Sequence, residues 1–311
     1  MSVSYHLGSH AHKKTSVFHV ESDPITGSSP THLIFGANTD VGKTVLTAGL
    51  VRAASEPSHS THHYTSGLTT THYIKPLQCG GSDEGWIRRN ALNVSTSKTL
   101  FRWETPASPH VAARMENYPV SDEEVQFSLQ SYLTSLDTDS ELSSTWIETA
   151  GGVLSPSSSS PKNDTAFHAK DSTEWGWKTQ GDLYTTLQEQ ASVVLVGDGR
   201  LGGISVTLAS LEALLRRNYV VAGVLLLRHG EDDYAEDVNQ RALQEHLSSS
   251  ASRQSLSAET LQSPLFMNPD VSVVSLPKLP PEPEPLTKWY ESQEVKTLLD
   301  AFVHDHLFQK W

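Results

Sequence analysis

The sequence predicts an α/β fold in which a mostly parallel sheet carries helices on both faces. Short apolar runs that are typical of buried strands alternate along the chain with helical patterns. Parallel strands need cover on both faces, and that cover comes from the helices that connect them. A chain of 311 residues is long enough to bury a sizeable core.

The predicted strands and helices follow in order along the chain. Six strands are predicted, at His32–Phe35, His72–Ile74, Trp146–Glu148, Val193–Val196, Val220–Leu227 and Val271–Leu276. Four helices are predicted, at Thr44–Ala54, Ser121–Leu136, Ile204–Arg217 and Ser292–Leu307. Ser121, with Glu124 three residues later, has the spacing of a capping box and marks the start of the second helix.

The chain divides into three predicted parts. Residues 1–30 lack apolar periodicity and are predicted to form a flexible N-terminal tail. Residues 31–276 form the predicted α/β domain. Residues 277–311 are predicted to form a proline-rich linker and a C-terminal helix, because five prolines fall within Pro277–Pro285 and favour extended backbone. Inside the domain, Ser155–Ser160 is rich in serine and proline and is predicted to be flexible.

Charge, hydropathy and cysteine content exclude several classes of function. Lys and Arg number 23 against 36 Asp and Glu, and the formal net charge of −13 disfavours binding to nucleic acid or to an anionic membrane. The mean hydropathy is −0.37, and no run reaches the roughly 18 apolar residues of a membrane span. The single cysteine, Cys79, cannot form an internal disulfide and suits a reducing compartment. The acid-poor start of the chain favours a mitochondrial location, with a cytoplasmic one as the alternative because arginine is missing there.

The strongest motif is a phosphate loop at Gly36–Thr44, which reads Gly-Ala-Asn-Thr-Asp-Val-Gly-Lys-Thr. It lies where the first predicted strand meets the first predicted helix, which is the context that such a loop requires. Helix N–H groups and the helix dipole attract anions, Lys43 reaches the phosphate oxygens and the Thr44 hydroxyl ligates Mg²⁺. The usual pattern has glycine at the position of Ala37, so the first glycine stands one residue early. The motif predicts a P-loop NTPase-like fold that uses ATP and Mg²⁺.

A second glycine motif, Gly197-Asp-Gly-Arg-Leu-Gly202, matches the dinucleotide fingerprint G-x-G-x-x-G. It follows a predicted strand and precedes a predicted helix, so an NAD(P)-dependent reductase is an alternative function. The acidic residue expected about 20 residues further on is missing. A tight strand-to-helix turn that lets another surface approach closely is the other interpretation of this motif.

Polar residues at the ends of other predicted strands complete a candidate site. Lys75 follows the second predicted strand and Glu148 ends the third, and ligands of an open parallel sheet bind beyond the carboxyl ends of its strands. Glu148 and Asp83 are candidate Mg²⁺ ligands because carboxylate oxygens suit that ion. With the phosphate loop, these residues predict phosphoryl transfer. A P-loop switch ATPase of the partitioning type is a further alternative, although such proteins carry an additional lysine where this chain has Ala37-Asn38-Thr39.

Four sequence blocks together resemble dethiobiotin synthetase and occur in that family's order. They are Gly36–Thr44, Lys75-Pro-Leu-Gln-Cys-Gly80, Glu148-Thr-Ala-Gly-Gly152 and Gly197-Asp-Gly-Arg-Leu-Gly-Gly-Ile-Ser205. The resemblance is greatest to the eukaryotic form, which is fused ahead of a diaminopelargonate aminotransferase. It implies that ATP, Mg²⁺ and CO₂ convert 7,8-diaminopelargonate to dethiobiotin through a carbamate and a carbamic-phosphate intermediate. It also implies a homodimer and, for a fragment of the fused enzyme, an aminotransferase domain absent from this chain.

The resemblance further implies roles for individual residues. Those implied to be catalytic are Lys75, Lys43 and Thr39. Those implied to bind the nucleotide are Asn38, Thr39, Asp40, Val41, Gly42, Lys43, Thr44, Val45, Glu148, Thr149, Ala150 and Gly151. Those implied to bind substrate are Lys75, Cys79, Gly151, Gly152, Gly203, Ile204 and Ser205, the last three through a carboxylate from the neighbouring subunit's site. Those implied to ligate Mg²⁺ are Thr44, Asp83 and Glu148.

Two departures from the family pattern concern recognition. Cys79 stands where the family usually has Ser or Thr, and a thiol is a weaker hydrogen-bond donor than a hydroxyl. The Arg228-His229-Gly230 region lacks the asparagine that bacterial members place near adenine, so the sequence leaves the base preference open.

Overall fold

The computed structural model describes residues 29–56, 70–91, 93–136, 143–158, 178–228, 236–248, 271–282 and 284–308. Its strands are β1 (Thr31–Gly36), β2 (Thr70–Cys79), β3 (Val94–Trp103), β4 (Ser143–Gly152), β5 (Ala191–Val196), β6 (Val220–Leu227) and β7 (Ser272–Leu276). Its helices are α1 (Lys43–Ser55), α2 (Asp83–Asn90), α3 (Pro109–Met115), α4 (Asp122–Ser135), α5 (Gln180–Leu183), α6 (Gly203–Leu215), α7 (Glu236–Ser248), α8 (Leu286–Glu291) and α9 (Gln293–Ala301). A 3₁₀ turn at Thr185–Leu187 follows α5, and a π-helical turn at Phe302–Leu307 continues α9.

The seven strands form one parallel sheet in the order β3-β2-β4-β1-β5-β6-β7. β1 is the central strand, so the loop that follows Gly36 opens in the middle of the carboxyl edge of the sheet. Ligands bind at that edge in open parallel sheets. The predicted α/β fold class is therefore confirmed.

Helices cover both faces of the sheet. Leu33 and Phe35 of β1 belong to a core cluster that contains residues of α4, α6 and α7. Ile34, between them, belongs to a second cluster that contains residues of α1, α8 and α9. This alternation follows from the two-residue period of side chains along a strand. No helix in the described ranges combines the length and the apolar character needed to span a membrane.

The C-terminal helices pack against α1, the helix that follows the phosphate loop. The Tyr290 hydroxyl donates to the Val45 carbonyl at 2.8 Å, and the Arg52 guanidinium lies 5.3 Å from the centre of the Tyr290 ring. Val295 and Leu299 of α9 are buried in the same cluster as α1. These contacts fix the orientation of α1 beneath the site.

Two predictions about local structure are wrong. The second strand runs on to Cys79 rather than ending before Lys75, and β3 is not predicted at all. β3 is an edge strand whose exposed positions, Ser95, Lys98 and Arg102, are polar, so it lacks the continuous apolar run of a central strand. Helix α2 is not predicted either, and the candidate ligand Asp83 is its first residue, where the Ser82 hydroxyl caps the helix by accepting from the Gly85 N–H.

The prediction of a flexible segment at Ser155–Ser160 is wrong for its first part. Pro156 pairs with Thr179 in an antiparallel bridge, and Ser157 and Ser158 are fully buried. Residues 159 and 160 lie outside the described residues, as do residues 1–28 of the predicted tail and residues 229–230.

Candidate active site

The phosphate loop joins β1 to α1 and leaves the start of that helix without a side-chain cap. Gly42, the N-cap residue, has φ +89°, and a Cβ there would lie 2.9 Å from Leu227 Cδ2. A Cβ at Gly36 would lie 2.8 Å from the Asn38 carbonyl oxygen and 2.9 Å from both Cδ and Nζ of Lys43. The Lys43 side chain therefore folds back over Gly36, and the close approach of the Asn38 carbonyl explains why glycine is needed at this position.

Three side chains, two from β2 and one from α1, meet at the fully buried Glu148 carboxylate. Its Oε1 accepts hydrogen bonds from Thr44 Oγ1 and from Lys75 Nζ, each at 2.8 Å. Its Oε2 accepts from the Tyr73 hydroxyl at 3.1 Å. The Lys75 ammonium is also 2.7 Å from Asp83 Oδ2 and donates to the Thr149 carbonyl at 3.2 Å.

The divergence of two strands exposes Lys75 to this site. Pairing between β2 and β4 ends at Ile74, which lies opposite Ile147. Pairing between β2 and β3 continues from Lys75 as far as Cys79. Lys75 thus lies where β2 leaves β4, and Pro76 follows it with no N–H to donate.

The charges of the cluster shift the pKa values of both lysines, in opposite directions. Burial, reinforced by the positive charge of Lys75, lowers the pKa of Lys43 to about 8 although nearby carboxylates oppose the shift. Burial also acts to lower the pKa of Lys75, but Glu148 and Asp83 outweigh it and raise that pKa above its usual value. At neutral pH Lys75 is therefore firmly cationic.

Two neutral groups lie beside the charged cluster. Burial, with the nearby Glu148 charge, raises the pKa of Tyr73 well above its ordinary value. Burial raises the pKa of the Cys79 thiol to about 11, although Lys75 opposes this shift. Both groups are therefore protonated at neutral pH, and Cys79 is not a thiolate nucleophile there.

The cluster opens into a cavity of about 860 Å³. Most of the residues proposed from the sequence line it, namely Thr39, Asp40, Gly42, Lys43, Thr44, Val45, Lys75, Cys79, Asp83, Glu148, Ala150 and Gly151. Lys43, the first residue of α1, and Lys75, within β2, thus share one cavity.

Sequence reasoning missed one side of this cavity. The additional lining residues are Leu77, Gln78, Ser82, Trp86, Arg89, Pro106, Ala107, Ser108, Pro109 and Ser155. Several of them belong to α2 and to the loop between β3 and α3. The missed strand β3 concealed that loop, whereas the Ser82-Asp83 pair carried a recognisable helix-capping signal.

Other residues proposed from the sequence lie outside the cavity lining. Asn38 accepts from the Thr39 N–H through its side chain, and Val41 is buried in the core. The Thr149 hydroxyl donates to the Ile34 carbonyl at 3.1 Å. Gly152 lies against the Ala37 carbonyl, 3.2 Å from where its Cβ would be. Gly203, Ile204 and Ser205 begin α6 and do not line this cavity either.

The oxygen atoms around Lys75 are of the kind that a hard divalent cation prefers as ligands. Thr44 Oγ1 and Glu148 Oε1 are in contact, and the Lys75 ammonium touches both Glu148 and Asp83. Hydroxyl and carboxylate oxygens suit Mg²⁺, which usually takes only one or two carboxylates from a protein and completes its shell with phosphates and water. Among the described residues no three His, Cys, Asp or Glu side chains form a metal-binding group.

Comparison with known proteins identifies relatives of the chain. Residues 31–172 match the family described as AAA domain. The chain is 34% identical over 266 residues to the mitochondrial bifunctional dethiobiotin synthetase/7,8-diamino-pelargonic acid aminotransferase of Oryza sativa subsp. japonica, covering 67% of this chain and 28% of the relative. It is 34% identical over 209 residues to the bifunctional dethiobiotin synthetase/adenosylmethionine-8-amino-7-oxononanoate aminotransferase of Emericella nidulans, covering 66% and 22%. The chain thus spans about a quarter of the length of these two relatives.

A shorter bacterial relative is matched over most of its length. The ATP-dependent dethiobiotin synthetase BioD of Phenylobacterium zucineum is 30% identical over 215 residues, covering 67% of this chain and 81% of the relative. Among solved structures, a ParA family ATPase from Chlorobium tepidum aligns with 90% of this chain and 100% of its own, at 9% identity and a TM-score of 0.46. A TM-score at that level supports no conclusion about function.

Proposed function

The chain belongs to the dethiobiotin synthetase family, and from that premise we propose that it converts 7,8-diaminopelargonate, CO₂ and ATP into dethiobiotin, ADP and phosphate. One observation carries the proposal: two buried lysines and two carboxylates from separate elements line a single cavity at the phosphate loop. The names of the relatives supply the substrate class, and the cavity supplies groups suited to the chemistry.

ATP is the proposed phosphoryl donor, held by the phosphate loop. The uncapped start of α1 offers N–H groups and a positive dipole end to the phosphates. Lys43, folded over Gly36, lies beside that helix start. Thr44, Asp83 and Glu148 are the proposed ligands of Mg²⁺, which neutralises charge on the phosphates when it is bound.

The proposed reaction proceeds through two covalent intermediates on the diamine. One amine attacks CO₂ and loses a proton to give a carbamate. A carbamate oxygen then attacks the terminal phosphorus of ATP, and ADP leaves. The second amine attacks the carbamate carbon and loses a proton to solvent or to the departing phosphate, phosphate leaves, and the ureido ring closes. In each step negative charge develops on oxygens beside Lys43 and Lys75, whose ammonium groups stabilise it. Thr39, which lines the cavity, is proposed to lie beside the reacting amines.

The substrate hydrocarbon chain is proposed to lie on the side of the cavity away from the phosphate loop. Leu77, Trp86, Pro106 and Pro109 give that side an apolar lining. Cys79 adds a neutral, weakly polar group next to it. Apolar walls with a few placed polar groups are typical of small-molecule sites.

The far end of the substrate is proposed to reach a second copy of the chain. Gly203, Ile204 and Ser205 begin a helix outside the cavity, and a helix start suits a carboxylate. This assignment requires a homodimer, which sedimentation velocity would detect and a strictly monomeric active enzyme would contradict. The names of the rice and Arabidopsis relatives also support a mitochondrial location, and imaging of a fluorescent fusion tests it.

The proposed function is tested by measuring ADP release from the purified chain with ATP and Mg²⁺. We expect release that depends on both 7,8-diaminopelargonate and bicarbonate, with dethiobiotin formed in equal amount and identified by mass. Omitting either substrate is the matched control. Rapid ADP release without the diamine would indicate an ATPase switch instead, and reduction of a substrate by NAD(P)H would indicate a reductase.

A further inference from the structure

Tyr73 contacts the carboxylate of Glu148, and the role proposed for it below rests on the magnesium site of the proposed function. Both oxygens of the buried Glu148 carboxylate have hydrogen-bond donors. Thr44 and Lys75 share Oε1, whereas the Tyr73 hydroxyl donates to Oε2 at 3.1 Å. This third donor, Tyr73, is not among the residues proposed from the sequence as part of the site.

The register of two strands places Tyr73 under Glu148. Tyr73 of β2 lies directly opposite Trp146 of β4, and both rings belong to the core cluster on the α1 face of the sheet. Lys75 and Glu148 each stand two residues further along the same strands, so they point to the same face. Tyr73 is fully buried, and its ring packs one step deeper than the charged cluster.

We propose that Tyr73 is a positioning residue that fixes the rotamer of Glu148, so that Oε1 faces Thr44, and Glu148 and Thr44 together would hold a divalent cation. A buried carboxylate has lost its hydration and requires donors for both oxygens. A phenol supplies a donor without adding a positive charge, whereas a lysine at the same place would compete with the cation. Groups that orient a metal ligand in this way commonly change metal affinity or activity 10- to 100-fold when they are removed.

The test is divalent-cation binding by the Tyr73→Phe variant, which removes only the hydroxyl. Mn²⁺ binding in the presence of ATP is followed by electron paramagnetic resonance, with no diamine present and therefore no turnover. We expect the Mn²⁺ dissociation constant to rise about tenfold. We also expect turnover to need more Mg²⁺ for half-saturation while its value at saturating Mg²⁺ is largely regained.

Tyr219→Phe is the matched control. Its hydroxyl is also buried and donates to the Gly181 carbonyl at 2.8 Å, but Tyr219 belongs to the core cluster on the opposite face. We expect this variant to bind Mn²⁺ like the wild type. Unchanged Mn²⁺ affinity in folded Tyr73→Phe protein overturns the role of Tyr73 but leaves the proposed metal site standing. Wild-type protein that binds no Mn²⁺ with ATP overturns the metal site on which the role rests.

A second measurement covers the case in which Tyr73→Phe does not fold. 3-Fluorotyrosine placed at position 73 alone keeps the hydroxyl and gives a single fluorine resonance. We expect that resonance to shift when Mg²⁺ is added to the ATP complex, because the cation draws charge from the carboxylate that accepts the hydrogen bond. The same label at position 219 should not respond. A resonance at position 73 that also does not respond overturns the proposal.

Discussion

Two glycine-rich turns stand on neighbouring strands of the sheet, one after β1 and one after β5. Each leads into a helix of 13 residues whose N-cap is a left-handed glycine without a side-chain cap, with φ 89° at Gly42 and 86° at Gly202. From the backbone alone, the two turns are close equivalents.

The side chains make the two turns different. In the first turn Lys43 lies over Gly36, and the loop opens into the cavity with Lys75 and Glu148. At the second turn the Asp198 carboxylate accepts from both the N–H and the guanidinium of Arg200. A glycine pattern therefore fixes the shape of a turn, whereas the charged side chains around it decide which ligand chemistry the turn can serve.

The backbone of the second turn shows why its glycines are required. A Cβ at Gly203 would lie 1.8 Å from the Asp198 carbonyl oxygen, and one at Gly197 would lie 2.6 Å from Leu226 Cδ2. Glycine there permits close packing, as the second interpretation of the motif expects. The turn does not line the cavity that contains the phosphate loop.

The largest expected effect comes from removing Lys75, which shares the cavity with the first turn. Lys75→Ala should lower turnover by about 10³-fold while ATP binding, measured by calorimetry, stays within a few-fold, because this lysine acts mainly in the transition state. The matched change in the second turn, Arg200→Ala, removes the partner of Asp198 and should leave turnover near the wild-type value. Full activity of Lys75→Ala would refute the assigned role.

The next effect separates the two N-cap glycines. Gly42→Ala adds a contact 2.9 Å from the buried Leu227 side chain to the strain of positive φ, whereas a Cβ at Gly202 meets nothing within 4 Å. We expect Gly202→Ala to cost about 1–2 kcal/mol of unfolding free energy from the left-handed conformation alone. Gly42→Ala should cost more and also weaken ATP binding. Urea denaturation measures both variants, and equal losses would contradict the comparison.

A smaller effect, dependent on pH, concerns the strand pair that carries both turns. At the end opposite the turns, His32 of β1 contacts Ser192 of β5, with Nδ1 at 2.7 Å from the serine Oγ. Burial lowers the pKa of His32 to about 3. The folded protein keeps His32 neutral while the unfolded chain takes up a proton below about pH 6.5. Stability is therefore unaffected above that pH and falls by about 1.4 kcal/mol per pH unit from 6.5 towards 3.

The variant that tests this linkage is His32→Asn, which keeps a polar partner for Ser192 and cannot be protonated. Between pH 7 and pH 5 its unfolding free energy should fall by about 2 kcal/mol less than that of the wild type. Urea denaturation at the two pH values gives the difference. An identical fall in both proteins would show that His32 is protonated within the folded protein.

The smallest expected effect is that of Cys79→Ser. Because burial raises the pKa of the Cys79 thiol to about 11, no thiolate is lost. The hydroxyl is the stronger donor, so KM for the diamine should fall by up to about tenfold while kcat is retained. Steady-state kinetics measure both constants, and complete loss of turnover would point to thiol chemistry instead.

How far the sequence predicts this molecule depends on the surroundings of each segment. β1, β5 and β6 are covered on both faces and have the continuous apolar runs by which they were predicted. β3 lies at the edge of the sheet and is polar on its exposed positions, so periodicity did not reveal it. The loop that follows β3, with Pro106 and Ser108 in the cavity lining, was missed for the same reason.

The residues of the site were predictable where a recognisable motif or a polar residue stands at the end of a predicted strand. Lys43, Thr44 and Glu148 lie next to predicted strands, and the structure brings all three into one cavity. Tyr73 was not predictable in this way, because an aromatic residue inside a strand resembles an ordinary core residue. Its contact with Glu148 depends on the register between β2 and β4, which local sequence does not specify.

The central claim is that a carbamate formed on the diamine attacks a phosphoryl group held between Lys43 and Lys75. Its most direct test supplies the enzyme with ¹⁸O-labelled CO₂ in a short reaction and analyses the released phosphate by mass spectrometry. If the carbamate oxygen attacks phosphorus, each phosphate carries one labelled oxygen from CO₂ for every dethiobiotin formed. Dethiobiotin formed together with unlabelled phosphate would contradict the account.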